Sequence, residues 1–281
     1  MNFDDLEGSA DLGEPINLYK FSYGPEPEDC YNYTDAEQPL VFEGEVYYPR
    51  IIRRGDIHAS GSTDKSTLEI SLPNTDPVAE FFRVYPPSYP VVVFIWQGHG
   101  LGGEFMLQWS GKVLSCSREG ALEANLTCEP ASVSMQRIGL RRHYQYMCPH
   151  ALYSQGYGQC NADKEAATIA VYAESVSGRN VLLGALLSNP SHYGGGIVEW
   201  VNLSGLTEYR TVLSVAEVEG KTQLTLSGIA REFPVGVAAS LSKGCAHNMS
   251  ACINIHNNIF NFGGQPYIPT KNPLGRNTPF L

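Results

Sequence analysis

Short apolar runs separated by turn residues fill the chain from Ile16 onward. The runs span four to nine residues, carry many β-branched and aromatic side chains, and end at Gly or Pro, as β-strands do. Typical strand segments are "INLYKFSY", "RIIRRGDIHAS" and "PVVVFIWQ". The segment "FEGEVYY" predicts a hairpin that turns at Glu43-Gly44. The pattern therefore predicts a mainly β protein.

One segment of the first half departs from the strand pattern. In "DPVAEFFRVYPP", Asp76 can cap a helix, Pro77 suits its first position and Pro86 would stop it. A short helix is therefore predicted there. Further along, "GEFMLQWSGKVLSCSRE" and "GALEANLTCEP" predict a long hairpin around Arg118-Glu119-Gly120.

The same pattern divides the chain into consecutive segments. Two β-domains are predicted, of the barrel or sandwich type, and irregular segments join them. The last segment has weak helical spacing at Met249, Ile253 and Phe260. The predicted boundaries are 1–15 for a polar N-terminal arm, 16–135 for the first β-domain, 136–164 for a cysteine-containing connection, 165–242 for a second, inserted β-domain, and 243–281 for the C-terminal cysteine segment and tail.

Composition narrows the class of protein. At 281 residues and 43% hydrophobic, the chain can bury a sizeable core. No run approaches the roughly 18 apolar residues of a membrane-spanning helix. The acidic start "MNFDDLEGSA" lacks the basic and apolar regions of a secretory signal, so we expect folding in a reducing cytosol. The seven cysteines are then more readily metal ligands or buried thiols than disulfides.

Charge is unevenly distributed. The net charge is −10, with 21 acidic and 8 basic residues in 1–130 against 8 acidic and 11 basic residues in 131–281. An acidic first half argues against nucleic-acid binding, which needs Lys/Arg-rich faces. A solvated acidic surface is the ordinary explanation. The alternative is that the acidic residues line a passage through which another polyanion slides without sticking.

Four cysteines flank the predicted second β-domain: Cys148, Cys160, Cys245 and Cys252. Because a compact domain usually brings its two ends together, both pairs can meet in space. Four thiolates suit tetrahedral zinc or an iron–sulfur cluster. The eleven and six residues between paired cysteines exceed the two to four typical of structural zinc sites. From spacing alone, a cluster, zinc and scattered buried thiols all stay open.

The other cysteines and the histidines carry weaker signals. Cys30 is predicted in a Pro/Glu loop, and Cys116 and Cys128 in strands, as small structural residues. Some histidines lie close to the candidate ligands in sequence. They could replace a cysteine at zinc or support the ligands through hydrogen bonds. These are His143, His150 and His247; the remaining ones, His58, His99, His192 and His256, show no partner pattern.

Motifs of common enzymes are absent from the sequence. It contains no G-x-S-x-G, no Walker motif and no H-E-x-x-H. Cys148 and His150 are two residues apart, a spacing at which a nucleophile and its base seldom face each other. A structural protein is therefore predicted, with a zinc- or cluster-binding enzyme (a cell-wall hydrolase or a redox protein) as the alternative.

Several segments resemble one protein family. They are "YNYTDAEQPLVFEGEVYYPRIIRRGDI", "LEISLPNTDPVAEFF", "FMLQWSGKVLS", "CPHALYSQGYGQC", "YGGGIVEW" and "KGCAHNMSACINIHNNIFNFGGQPYIP". Together they are similar to the tail hub, or tail tip, proteins of long non-contractile-tailed bacteriophages, which include the phage lambda tail tip protein and gene transfer agent hub proteins. The resemblance covers nearly the whole chain after the first dozen residues.

The resemblance implies a role and a ligand set. In that family four C-terminal cysteines bind a 4Fe-4S cluster, and by position Cys148, Cys160, Cys245 and Cys252 match them. It also implies two tail-tube-like domains per subunit in a homotrimeric ring. The implied partners are the distal tail protein and tail tube, the tape measure protein and a central fibre or receptor-binding protein, with DNA only in transit. The implied location is the virion, assembled in the host cytoplasm.

Overall fold

The computed structural model describes residues 14–24, 30–57, 67–83, 85–100, 104–118, 120, 122–136, 143–203 and 205–268. The chain divides into two compact units, a first unit (Met1–Ile138) and a second unit (Gly139–Leu281). Strands dominate both units, and the described helices are few and short. The predicted mainly β fold class is therefore confirmed.

The described strands of the first unit form one nine-stranded sheet with the order β3-β4-β2-β1-β7-β8-β9-β6-β5. Neighbouring strands are antiparallel, except that β2 and β4 run parallel. The strands are β1 Pro15–Tyr23, β2 Cys30–Thr34, β3 Leu40–Phe42, β4 Glu45–Pro49, β5 Arg53–Arg54, β6 Leu68–Pro73, β7 Val91–His99, β8 Met106–Ser117 and β9 Glu123–Pro130. The 3₁₀-helix Ala131–Gln136 follows β9.

Alternation of side chains explains why this sheet has a buried face. In β6, Leu68, Ile70 and Leu72 are buried while Glu69 between them is exposed. The period of two places these three side chains on the same face. Apolar residues at alternate positions of β7 are buried in the same way. Burial of these apolar faces is the main contribution to the stability of the folded first unit.

The predicted hairpin at Glu43-Gly44 is present. Strands β3 and β4 pair antiparallel, with Phe42 opposite Glu45. Glu43 and Gly44 have φ values of 51° and 82°, so both residues lie in the left-handed region. Two consecutive residues with positive φ match the twist of a two-residue hairpin.

The predicted short helix is α1, Pro77–Glu80. Asp76 caps it, because the carboxylate accepts a hydrogen bond from the Val78 N–H at 2.9 Å. The Tyr33 hydroxyl donates to the same carboxylate oxygen at 3.1 Å. Asp76 is buried, and this desolvation raises the pKa of its carboxyl above the usual 3.8.

Two expectations for the first unit need correction. The segment "RIIRRGDIHAS" was expected to form a full strand, but only Arg53–Arg54 pair, and residues 58–66 lie outside the described part. Cys30 was expected in a loop, but it is the first residue of β2, opposite Ser22 of β1. The sequence pattern shows only that these residues are suited to a strand. Whether they pair depends on the position of a neighbouring strand, which the pattern does not give.

The second unit contains a closed six-stranded barrel with the order β10-β11-β14-β13-β12-β15. Its strands are β10 Thr168–Ser177, β11 Asn180–Leu183, β12 Ile197–Val201, β13 Thr207–Val218, β14 Lys221–Leu226 and β15 Ala238–Ser242. A 3₁₀-helix, Pro190–Tyr193, lies between β11 and β12. Apolar side chains fill the interior, among them Val198, Trp200, Val212, Leu224 and Leu241.

One ion pair is buried in the barrel unit. Arg210 Nη1 lies 3.3 Å from Glu208 Oε2, and their side chains are 5% and 1% exposed. The same guanidinium nitrogen donates to the Tyr209 carbonyl at 2.7 Å, and the Arg210 guanidinium lies over the Trp200 ring. A buried charge is tolerated when it is paired and hydrogen-bonded, and here each partner supports the other.

Two segments of the second unit lie outside the barrel. Within the described residues, 143–167 and 243–268 contain no strand. The second contains the helix α2, Met249–Asn254, and a 3₁₀-helix, Ile259–Asn261. The Asn248 side chain caps α2 by accepting from the Ala251 N–H at 2.8 Å. No described helix is long and apolar enough to span a bilayer.

Candidate metal centre

The structure brings Cys148, Cys160, Cys245 and Cys252 to one hollow in the second unit. We call it the cysteine hollow. Its remaining lining residues are His150, Leu152, His247, Asn248, His256, Asn258, Asn261 and Phe262. The two cysteine pairs, separated by the whole barrel in sequence, therefore share one site in space.

Barrel closure explains this convergence. The first residue of β10, Thr168, pairs with the last residue of β15, Ser242, and their hydroxyl oxygens lie 2.7 Å apart. One residue further out, the Lys243 N–H donates to the Ala167 carbonyl at 3.0 Å. The chain thus enters and leaves the barrel side by side. Segments that precede β10 and follow β15 are held together by this pairing.

Glycines let the backbone pass close to the second cysteine pair. A Cβ on Gly244 would lie 1.9 Å from the Gly194 carbonyl oxygen, and one on Gly196 would lie 2.2 Å from the Ser242 oxygen. Neither position has room for a side chain. The Gly244 N–H donates to the His192 carbonyl at 2.8 Å. The "YGGG" and "KGC" stretches therefore pack backbone against backbone beside Cys245.

Hydrogen bonds tie the first cysteine to the segment of the third. The Cys148 N–H donates to the His247 carbonyl at 2.7 Å, and His247 Nδ1 lies 3.1 Å from the Cys148 carbonyl oxygen. His247 has a φ of 57°, an uncommon value for a residue other than Gly. The strained backbone persists because these two bonds fix it on both sides.

Backbone N–H groups point at two of the sulfurs. The His247 N–H lies 3.3 Å from Cys245 Sγ, and the Gly263 N–H lies 3.4 Å from Cys148 Sγ. A Cβ on Gly263 would fall 2.4 Å from His150 Nε2, so the close approach to Cys148 requires glycine or movement of the imidazole. Amide donors stabilise thiolate sulfur and are typical of sulfur-ligated metal centres.

The thiols influence one another electrostatically. Burial, together with the neighbouring Cys245, Cys148 and Cys160, raises the pKa of Cys252 to about 11. Burial also raises the pKa of Cys245, partly opposed by the His247 N–H, and Cys160 and Cys148 add to the increase. Adjacent thiolates repel each other. Binding several of them as thiolates at once therefore requires a cationic group among them.

Three histidines line the hollow, and one of them carried no signal in the sequence. His150 is buried, and its Nδ1 lies 3.1 Å from the Asn261 carbonyl oxygen. His256 Nε2 lies 2.9 Å from the Gly244 carbonyl oxygen, and its ring meets Tyr153 edge to face. His247 was described above. The candidate His143 is exposed and does not line the hollow, whereas His256 does.

The donor set fits an iron–sulfur cluster in chemistry. It offers four thiols and amide donors to sulfur. Among described residues, however, no group of three or more His, Cys, Asp or Glu side chains is drawn together enough to hold a metal ion as it stands. The space between these side chains is small, about 10 Å³, which is enough for about one water molecule. A cubane of four iron and four sulfide atoms is larger, so binding it would require the cysteine side chains to move apart.

The two segments around the hollow contain no Asp, Glu, Lys or Arg: neither 143–162 nor 244–268 has one. Charged residues make up 17% of the whole chain. Lys164 and Lys243 lie just outside these ranges, and Lys164 is paired with Glu199. Within the ranges, a set of thiolates is balanced by protonation or by a bound cation.

The cysteines of the first unit are in a different setting. Cys128 lies in β9 and is fully buried, and burial alone raises the pKa of its thiol to about 12. Cys116 lies in β8, and burial raises the pKa of its thiol as well. Their predicted strand positions are confirmed. None of the first unit's cysteines lines the cysteine hollow.

Comparison with known proteins agrees with this two-unit fold. Residues 191–272, less than half of the chain but including Cys245 and Cys252, match the family described as "Phage conserved hypothetical protein BR0599". A solved structure, the virion of a native gene transfer agent (GTA) particle, contains a chain with a TM-score of 0.72 and 15% identity. The match covers 95% of this chain and 91% of that one, so the two share a fold. No curated protein sequence matches significantly.

Proposed function

We propose that this chain is a structural component of a phage-type virion, the hub or tail tip protein of its tail. It forms a homotrimeric ring that joins the tail tube and distal tail protein to the central fibre or receptor-binding protein. The proposal is supported by the phage family match over residues 191–272 and by the fold shared, over nearly its full length, with a chain of the gene transfer agent particle.

We further propose that Cys148, Cys160, Cys245 and Cys252 hold a 4Fe-4S cluster. The observation that carries this proposal is the arrival of all four thiols at one hollow from two segments separated by the barrel. A bound cluster supplies covalent links among these segments. The Gly263 and His247 N–H groups then donate to ligand sulfur, and the glycine contacts hold the backbone close.

The linkage gives the site a structural purpose. Segments 143–167 and 243–268 contain no strand, so the regular hydrogen bonds of a sheet do not hold them. A metal centre that binds only the folded arrangement contributes its binding free energy to folding. The two segments would then keep one shape while the virion is assembled and while DNA passes.

Charge supports a role for the first half in the passage of DNA. Residues 1–130 carry 21 acidic and 8 basic residues. An acidic lumen repels DNA and keeps it from adhering, although physiological salt screens this repulsion beyond about 8 Å. The proposal therefore places the acidic residues of the first half at the lumen.

An enzyme is the second candidate, and no observation favours it. Cys148 and His150 both line the hollow, but His150 Nδ1 faces the Asn261 carbonyl and Nε2 faces Gly263. A cysteine hydrolase needs the imidazole against the thiol. We therefore propose a structural role without catalysis.

Iron content tests the proposed function most directly. Anaerobically purified chain should be brown and contain about four iron atoms per chain, as expected for a cubane with four cysteine ligands. Cys245→Ser should lose most of the iron, whereas Cys116→Ser, which changes a half-buried thiol of the first unit, should keep it. Stoichiometric zinc in a colourless sample would support the tetrahedral alternative instead.

The oligomer and the particle provide the second readout. Light scattering of the anaerobic chain should give a trimer mass. In a phage or transfer particle that encodes this chain, Cys245→Ser or Cys252→Ser should abolish assembled tails while the first unit stays folded. Normal infectious particles from these variants would show that the site is dispensable.

A further inference from the structure

We propose that Asn258 is a positioning residue for the cysteine hollow: its side-chain amide orients Cys160 and supplies a hydrogen bond to that ligand sulfur, and its backbone holds the segment of Cys252. The inference rests on the proposed cluster. It adds a residue that the sequence pattern did not single out, and it states what that residue does.

Asn258 contacts two cysteines from different segments. Its Nδ2 donates to the Cys160 carbonyl and lies 3.9 Å from Cys160 Sγ. The Cys252 thiol donates to the Asn258 backbone carbonyl at 3.1 Å, and the Asn258 backbone N–H donates to the Cys252 carbonyl at 2.9 Å. One half-buried residue therefore links the first cysteine pair to the second.

Neighbouring side chains fix which end of the amide faces Cys160. Asn261 Nδ2 donates to Asn258 Oδ1 at 2.6 Å, so the Asn258 oxygen is occupied and its nitrogen must point at Cys160. Asn161 Nδ2 lies 3.5 Å from Asn261 Oδ1, which extends the chain of amides back to the residue after Cys160. The orientation is therefore set by a network, in which each amide constrains the next.

The chemistry of the contact depends on donation. An N–H donor withdraws charge from a ligand sulfur, which stabilises the thiolate and raises the reduction potential of an iron–sulfur centre. An acceptor at the same place does the opposite.

Asn258→Asp tests this role because it replaces the N–H donor by an oxygen acceptor. The two side chains have nearly the same shape. The chain is purified anaerobically and reconstituted with iron and sulfide. We expect loss of cluster absorbance to a chelator to be about tenfold faster than in the wild type, as for other residues that support metal ligands. We also expect a more negative midpoint potential in a redox titration.

Asn254→Asp is the matched control. Asn254 is exposed on α2, two residues from Cys252, and its amide donates to Ser250 Oγ. The Asn254→Asp substitution adds the same negative charge close to the site, at a side chain that hydrogen-bonds to Ser250 and not to a cysteine. The control should keep the wild-type rate and potential. If both variants shift equally, a general charge effect explains the result and the inference is wrong.

Asn261→Ala gives an independent measurement if Asn258→Asp does not fold. It removes the donor that orients the Asn258 amide and the weaker contact of Asn261 with Asn161, and it leaves the Asn258 side chain itself in place. We therefore expect a change in the same direction but smaller. Wild-type rate and potential in this variant and in Asn258→Asp would contradict the positioning role while leaving the cluster intact. Wild-type chain without iron after reconstitution would instead overturn the proposed cluster, which the iron assay detects separately.

Discussion

The two units both consist mainly of strands, yet they secure their buried groups in different ways. In the first unit the buried acid Asp76 is held by neutral donors, the Tyr33 hydroxyl and the Val78 N–H. In the second unit the buried acid Glu208 is paired with Arg210. The difference shows that a buried acid can be held either by neutral hydrogen-bond donors or by an opposite charge.

The same contrast separates the cysteines. Cys128 of the first unit is surrounded by core, and burial is the whole cause of its raised pKa. In the second unit, the pKa of the Cys252 thiol is raised by burial and by three further thiols. An isolated buried thiol is a packing residue. A thiol whose neighbours are also thiols is a candidate metal ligand. Burial alone does not separate the two cases, because Cys128 and Cys252 are both buried.

The largest effect on stability is expected in the barrel unit. Glu208→Gln leaves the Arg210 guanidinium buried without its counter-charge, and this should lower the free energy of unfolding of the barrel by about 3–5 kcal/mol. Hydrogen exchange of peptides from β12 to β14 in the full chain measures the change. Glu174→Gln breaks the exposed pair with Lys221, and should cost less than about 1 kcal/mol. Equal losses in both variants would contradict the contrast.

A smaller loss of stability is expected at Gly244, where the backbone packs directly against the backbone at Gly194. A Cβ at Gly244 would overlap the Gly194 carbonyl, so Gly244→Ala should destabilise the segment beside Cys245 by about 1–3 kcal/mol. Hydrogen exchange of residues 243–262 reports it. Gly184→Ala is the control, since its Cβ would meet its nearest neighbour, the Tyr172 oxygen, at 4.0 Å. A tolerated Gly244→Ala would show that this contact opens easily.

The smallest effect concerns the first unit and depends on pH. The folded state raises the pKa of Asp76 above its usual 3.8, so it binds the proton more tightly than the unfolded state does. The stability that this proton contributes is present below pH 3.8 and is lost as pH rises through the folded pKa. Asp76→Asn keeps a good helix cap and removes the titration, so its advantage over the wild type should grow with pH.

Hydrogen exchange of residues 68–83, corrected for the intrinsic rate at each pH, measures this difference. Asp76→Ala is the control: it also removes the titration but lacks the cap, so it should be less stable than Asp76→Asn by about 1 kcal/mol at every pH. A constant difference between Asp76→Asn and the wild type across pH 4 to 7 would contradict the raised pKa.

Local signals predicted much of the fold. The hairpin at Glu43-Gly44 and the cap at Asp76 depend on residues adjacent in sequence, and both are present. The two-residue extent of β5 was missed, because strand length depends on a partner, here β6, that lies elsewhere in the chain.

Of the residues that line the hollow, the sequence pointed to the four cysteines and to His150 and His247. Cysteine is a chemically distinctive residue type, and the return of a compact domain to its starting point suggested that the two pairs meet. His256, Asn258 and Asn261 were not identified, because they lie in irregular segments without a period. Their contacts with Gly244, Cys160 and His150 arise only when distant loops come together.

Among the strands that the structure describes, the sheet of the first unit has two free borders, β3 and β5, whereas the barrel of the second unit closes on itself and has none. A strand from another molecule can extend a ladder only where main-chain donors and acceptors still face outward. Among the described strands, Leu40–Phe42 and Arg53–Arg54 are therefore places where a neighbour can add a strand to the sheet. The described barrel strands have no border of this kind.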